Sequence, residues 1–170
     1  MPEEREKISQ AVKAMAETGG KYLTFMLAGE EFGIGILKIR EIIGMMPITF
    51  VPQTPDYIKG VINLRGKVIP VMDLRLRFGM PALDYTERTC IIVVEIDGQT
   101  GTAQAGIVVD AVSEVLYVKV EDIEPSPSFG TQLNTEFIRG MAKMNGGIKI
   151  LLDSDRVLSR DGAALLAAAA

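Results

Sequence analysis

A chain of 170 residues, 48% apolar and 24% charged, is long enough to build a core, and its lack of histidine closes off much of catalysis. Histidine is the commonest general base near neutral pH and the commonest metal ligand; with a single cysteine besides, no Cys/His zinc site and no Ser-His-Asp or Cys-His arrangement can be assembled. A formal charge of −4 argues against a dedicated nucleic-acid binder, which carries a basic face.

The N-terminal stretch 3–18 is charged, with Ile8, Ala11, Val12 and Met15 at the i, i+3, i+4, i+7 spacing of one helical stripe. Gly19-Gly20 ends it. Such a helix either packs on its own domain or binds a partner. Short strands follow. Residues 22–28 form the first, turned by Gly29-Glu30. Residues 32–36 and 39–43 come next, with room for a short helix between them. Residues 61–64 and 67–72 flank Arg65-Gly66, a tight hairpin signal. Asp73 is placed to cap a helical turn over 73–78, and Gly79-Met80-Pro81 breaks the chain.

The second half opens on 89–96, a continuous apolar strand expected to be buried on both faces. Its lone cysteine, Cys90, reads as a small buried hydrophobe and points to a reducing compartment. Asp97-Gly98 turns the chain into 103–109, and 111–118 follows. Residues 124–135 read as a loop. Asn145-Gly146-Gly147 sits between 138–144 and 148–152 as another hairpin signal. The end has helical character and closes on an alanine-rich tail, 159–170. No apolar h-region leads the chain and no apolar run approaches the roughly 20 residues of a membrane span, so a cytoplasmic location is expected. Short strands at about ten-residue spacing, with glycine turns and no βαβ alternation, predict an all-β barrel or sandwich with short helices.

The halves echo each other. Ile58-Lys59-Gly60 matches Ile138-Arg139-Gly140 at an offset of 80, which then carries Gly66 onto Gly146, Val68 onto Ile148, Val71 onto Leu151 and Asp73 onto Asp153. Upstream, Gly33-Ile34 matches Gly106-Ile107, and Glu41-Ile42 matches Glu114-Val115, at an offset of 73. Matching glycines mark matching backbone geometry. The expected organisation is a helical extension over 1–20, then a domain over 21–158 built of two similar sub-barrels, about 22–80 and 89–158. A groove between tandem units suits a partner peptide or helix.

Two charged positions stand out. If Ile62 and Leu64 face the core, Asn63 and Arg65 face out, and the Arg65 guanidinium is then free for a carboxylate on a partner or simply solvated. Alternation places Ile39, Glu41 and Ile43 on one face, either a partner-facing edge or a covered strand. Lys59, Arg65, Lys67, Arg75 and Arg77 form a local basic cluster, but its only flanking aromatics, Tyr57 and Phe78, do not interleave as nucleic-acid stacking requires. Gly33-Ile34-Gly35 and Gly146-Gly147 fit no phosphate-loop spacing. A small-barrel nucleic-acid binder is the alternative that these features leave, and carboxylate chemistry without a paired-acid motif ranks behind it.

From about Tyr22 to Leu158 the chain resembles the CheW-type chemotaxis coupling proteins. The resemblance is carried by Phe32-Gly33-Ile34, by Ile39-Arg40-Glu41-Ile42, by Ile58-Lys59-Gly60-Val61-Ile62-Asn63-Leu64-Arg65-Gly66, and by Pro70-Val71-Met72-Asp73-Leu74-Arg75. Gly106-Ile107-Val108-Val109-Asp110 and Glu124-Pro125-Ser126-Pro127 add to it. It implies two pseudo-repeated five-stranded β-barrels of the Src-homology kind, packed together. It implies no enzymatic activity, no metal and no cofactor. It also implies a scaffold joining transmembrane chemoreceptors to the CheA histidine kinase in arrays at the inner membrane, with membrane association only through the receptors and no nucleic-acid partner. The family's receptor-facing positions fall on Ile39, Glu41, Gly60 and Arg65; further partner contacts are expected around Gly106, Val112 and Val115.

Overall fold

The computed structural model describes residues 20–98, 101–125, 137–144 and 146–159; the expected N-terminal helix, most of the 124–135 loop and the alanine-rich tail lie outside them. The strands are β1 (Gly20–Leu27), β2 (Glu30–Gly35), β3 (Ile39–Gly44), β4 (Ile58–Leu64), β5 (Lys67–Asp73), β6 (Cys90–Gly98), β7 (Gly101–Val109), β8 (Ala111–Val118), β9 (Ile123–Glu124), β10 (Ile138–Met144) and β11 (Gly147–Leu152). Two short helices, α1 (Leu74–Arg77) and α2 (Ser154–Ser159), follow β5 and β11. Asp73 caps α1 as expected: its Oδ1 accepts the backbone N–H groups of Arg75 at 3.0 Å and Leu76 at 3.4 Å.

The strands form two sheets. One is ordered β3-β6-β7-β5-β4, the other β8-β1-β2-β11-β10-β9, six-stranded only if the two-residue β9 is counted. The repeat is expressed in the registers. Ile58 faces Met72 and, across a bulge, Gly60 faces Val71; eighty residues on, Ile138 faces Leu152 and Gly140 faces Leu151 across the same bulge. Val71 then pairs in parallel with Gly106, as Leu151 does with Gly33.

Those parallel pairings correct the expected division at 22–80 and 89–158. The last strand of each repeat pairs with the second strand of the other repeat. The first sheet therefore spans 39–109, and the second joins β1 and β2 to β8–β11. The two repeats exchange their first hairpins. Equivalent hairpins present equivalent faces, so a repeat seen in sequence cannot say which copy each hairpin joins.

Burial follows from this interlock. On β6, Ile91 and Val93 enter the interior of the first barrel with Ile62, Ile69, Val71 and Val108. Ile92, Val94 and Ile96 alternate to the other face and meet Leu23, Phe25, Phe32 and Ile34 of the second barrel in a shared core. The second barrel's own interior is smaller, built on Tyr22, Val118, Ala142 and Leu151. The chain crosses between barrels at a 3-10 turn, Ile36–Lys38, and at Asp110, between β7 and β8.

Candidate functional site

Glu41 and Arg65 come together although they lie far apart along the first sheet. Glu41 is on β3 at one edge, and Arg65 is on the turn joining β5 to β4, the opposite edge. An Arg65 Nη2 to Glu41 Oε1 ion pair spans the gap and helps curl the sheet into a barrel. The Arg65 side chain remains 71% exposed and that of Glu41 30%. The guanidinium expected to be open to a partner's carboxylate thus already holds one from its own chain, with further N–H donors facing solvent.

The local backbone explains the presentation. Arg65 has φ +51° and Gly66 φ +86°, the two positive values of a type I′ turn. Gly66 N–H donates to Asn63 Oδ1 at 2.9 Å, which fixes the turn from within.

On β3, simple alternation fails. A bulge at Arg40 sets Ile39 opposite Val94 and Glu41 opposite the next residue back, Val93. The bulge turns Ile39 away from the face of Glu41 and Ile43. Ile39 packs on the shared core, whereas Ile43 packs into the barrel interior. The residue that shares Ile39's face is Ile42, 44% exposed. Alternation missed it; its match to Val115 in the repeat is the signal that points to it.

Gly60 and Gly106 are buried and offer no side chain to a partner. Gly60 has φ +140°, and a Cβ there would lie 2.0 Å from the Thr49 carbonyl oxygen. At Gly106 a Cβ would lie 2.7 Å from Ile91 Cγ2. Both are places where chain packs on chain. Val112 is half-buried against the shared core, and Val115 is 51% exposed.

The basic cluster read from sequence disperses. Arg75 Nε and Nη2 donate to the two carboxylate oxygens of Asp110, each at 2.7 Å, and Asp110 also accepts the Ala28 N–H at 2.9 Å. The Arg75 hydrogen bonds hold the Asp110 carboxyl below its usual range, against an opposing effect of burial. Arg77 lies over the rings of Tyr57 and Phe137 at 4.9 and 4.4 Å and donates to the Val157 carbonyl at 3.2 Å. Burial and the neighbouring Asp73 carboxylate, which accepts the Tyr85 hydroxyl at 3.1 Å, raise the Tyr85 phenol above its usual range. Sequence reading left the Arg75–Asp110 pair unseen, because no periodicity connects the ends of β5 and β7, strands that become neighbours only in the fold.

A family model described as CheW-like domain matches residues 21–162. The chemotaxis protein CheW of Klebsiella aerogenes is 42% identical over 155 residues, covering 91% of this chain and 91% of that protein. The chemotaxis protein CheW of Rhizobium meliloti is 36% identical over 150 residues, covering 88% and 94%. Among solved structures, the scaffolding protein TtCheW from Thermoanaerobacter tengcongensis matches with a TM-score of 0.74 and 39% identity, over 85% of this chain and 95% of that one.

Proposed function

This chain belongs to the CheW-like domain family, and from that premise we propose that it couples chemoreceptors to the CheA histidine kinase, with Glu41 and Arg65 at the receptor-facing site. Its role is that of a non-catalytic chemotaxis scaffold. Its place of action is the cytoplasmic side of receptor arrays at the inner membrane, reached through the receptors themselves; no helix among the described residues is long and apolar enough to cross a membrane.

The observation that carries the site is the backbone of Arg65. A left-handed conformation costs an ordinary L-residue about 1–2 kcal/mol, and asparagine bears it far better. The equivalent turn of the other repeat has the sequence Asn145-Gly146. Arginine is the costlier residue for that geometry, and an exposed ion pair returns only about 0–1 kcal/mol. Its guanidinium is what the position gains: one donor holds Glu41, and the others face outward for a partner carboxylate. Glu41 and Arg65 make the contact; Ile39 and Gly60 flank the bulges in β3 and β4.

Co-sedimentation with receptor-bearing membranes tests the coupling, run with and without the kinase. The chain is expected to pellet with receptors alone and to carry the kinase down with it. A chain that pellets with neither, while folded, would remove the coupling role.

A further inference from the structure

Gly60 is among the receptor-facing positions that the resemblance implies, yet it is buried and has no side chain to present. What lies against it is the loop between β3 and β4. A Cβ at residue 60 would fall 2.0 Å from the Thr49 carbonyl oxygen and 2.7 Å from the Thr49 carbonyl carbon. The next residue in the chain is Phe50. At 72% exposure its side chain is the most open of the large apolar ones among the described residues.

We propose that Phe50 is the apolar anchor of the receptor-facing surface, and that Gly60 acts there by letting the Phe50 loop lie flush on β4. This rests on the coupling role proposed above and names a further contact and its chemistry. The loop is fastened on both sides of the ring. Thr49 and Val61 exchange both backbone hydrogen bonds, at 2.8 and 2.9 Å. Beyond Phe50, the Thr54 hydroxyl donates to the Val51 carbonyl at 2.9 Å, and the Ile58 N–H donates to the Pro55 carbonyl at 3.0 Å. An aromatic ring held out on a fixed backbone loses little freedom when a partner covers it, and such rings dominate the energetics of interfaces.

The fold itself does not call for an aromatic there. Thr49 bridges Val61, and eighty residues on Met141 pairs with Glu124, so the counterpart of Phe50 is Pro125. The second repeat makes the same bridge with no ring beside it.

The spacing of Phe50 and Arg65 describes the occupant. From Gly60 to Arg65 the chain runs about 17 Å, at about 3.3 Å per residue. A helix rising about 1.5 Å per residue covers that length in about eleven residues, three whole turns, which keeps both contacts on one face. The occupant is a receptor helix that lays an apolar side chain on Phe50 and, three turns away, a carboxylate on Arg65.

Co-sedimentation of the full chain with receptor-bearing membranes tests this, with thermal melts alongside. Phe50→Ala is expected to weaken binding about tenfold, and Phe50→Leu, which keeps most of the apolar area, about threefold or less. Leu83→Ala truncates a side chain 60% exposed in the segment between α1 and β6 and is expected to bind as wild type. All three should melt as wild type. Added salt should shrink the deficit of Arg65→Ala by screening and leave that of Phe50→Ala in place. In a Cys90→Ser background, Phe50→Cys and Arg65→Cys should each cross-link best to single receptor cysteines about eleven residues apart. If Phe50→Ala binds as wild type while Arg65→Ala does not, the anchor is overturned and the coupling role stands. Cross-linking maxima within one helical turn of each other would overturn the helical occupant. A folded wild-type chain that pellets with no receptor would overturn the coupling role, and the anchor with it.

Discussion

The two crossings between barrels are clasped by ion pairs of opposite sense. Arg75, two residues past β5, holds Asp110 at the second crossing; its equivalent in the other repeat, Asp155, holds Lys38 at the first, at 3.2 Å. The chemistry is not equal. The arginine fork meets its carboxylate through two short bonds, and the Arg75 side chain is mostly buried, whereas Lys38 and Asp155 are each about one-third exposed. A shared architecture therefore does not distribute stability evenly. The crossing at Asp110 also secures the β1–β2 turn through Ala28, so it ties three pieces of chain together.

The largest effect expected from comparing the repeats concerns their matched glycines. Gly60→Ala meets the Thr49 carbonyl oxygen at an impossible 2.0 Å with a positive φ, while Gly140→Ala, at an ordinary φ, meets the Ile123 Cγ2 methyl at 2.7 Å and the Glu124 carbonyl oxygen at 3.0 Å. Denaturant melts should show a loss of roughly 3–5 kcal/mol for Gly60→Ala and about 1–3 kcal/mol for Gly140→Ala, from overpacking and backbone strain. Equal losses would break the asymmetry.

The clasps come next. Asp110→Asn should cost about 2–3 kcal/mol, the range for hydrogen bonds to charged groups left without a full partner. Lys38→Ala should cost about 1 kcal/mol or less, as exposed pairs do. Folding lowers the Asp110 carboxyl below its unfolded value of about 3.9, so its contribution is whole above that pH. The contribution is lost as pH falls through the lowered folded value. Wild type should lose stability toward Asp110→Asn below about pH 4; two melting curves that stay parallel from pH 6 to 3 would contradict the pairing.

Much of this comparison was legible in the sequence. The hairpin turns at Gly66 and Gly146, the Asp73 cap, the doubly buried β6 and the 80- and 73-residue offsets all rest on local chemistry: turn glycines, capping carboxylates and apolar runs. What was not legible depends on which chain segment lies opposite. The exchange of first hairpins leaves every local pattern unchanged. The bulge at Arg40 inverts the faces of β3 without any special residue to announce it. Arg65 looked free because its partner, Glu41, sits on the far edge of the same sheet.

The smallest stability effect is expected at the Arg65 turn, the proposed receptor-facing site. Arg65→Asn relieves the left-handed strain and loses an exposed ion pair, so the melting temperature should move by only a degree or two, equivalent to about 0.5 kcal/mol for a chain of this size. Receptor binding should nonetheless fall about tenfold or more, roughly 1.4 kcal/mol or above. Lys67→Ala, at the neighbouring exposed position of β5, should leave both unchanged.

Reversing the pair tests the receptor-facing role of Arg65 most directly. Glu41→Arg combined with Arg65→Glu keeps an ion pair across the barrel while exchanging the charge presented outward. Receptor pull-downs at matched salt, with thermal melts alongside, separate the two functions of the arginine. A double variant that melts within a few degrees of wild type, yet binds receptors at least tenfold more weakly, is the expected result. Wild-type binding by that variant, or by a normally folded Arg65→Ala, would contradict a partner contact by the Arg65 guanidinium and leave it a strut of the barrel alone.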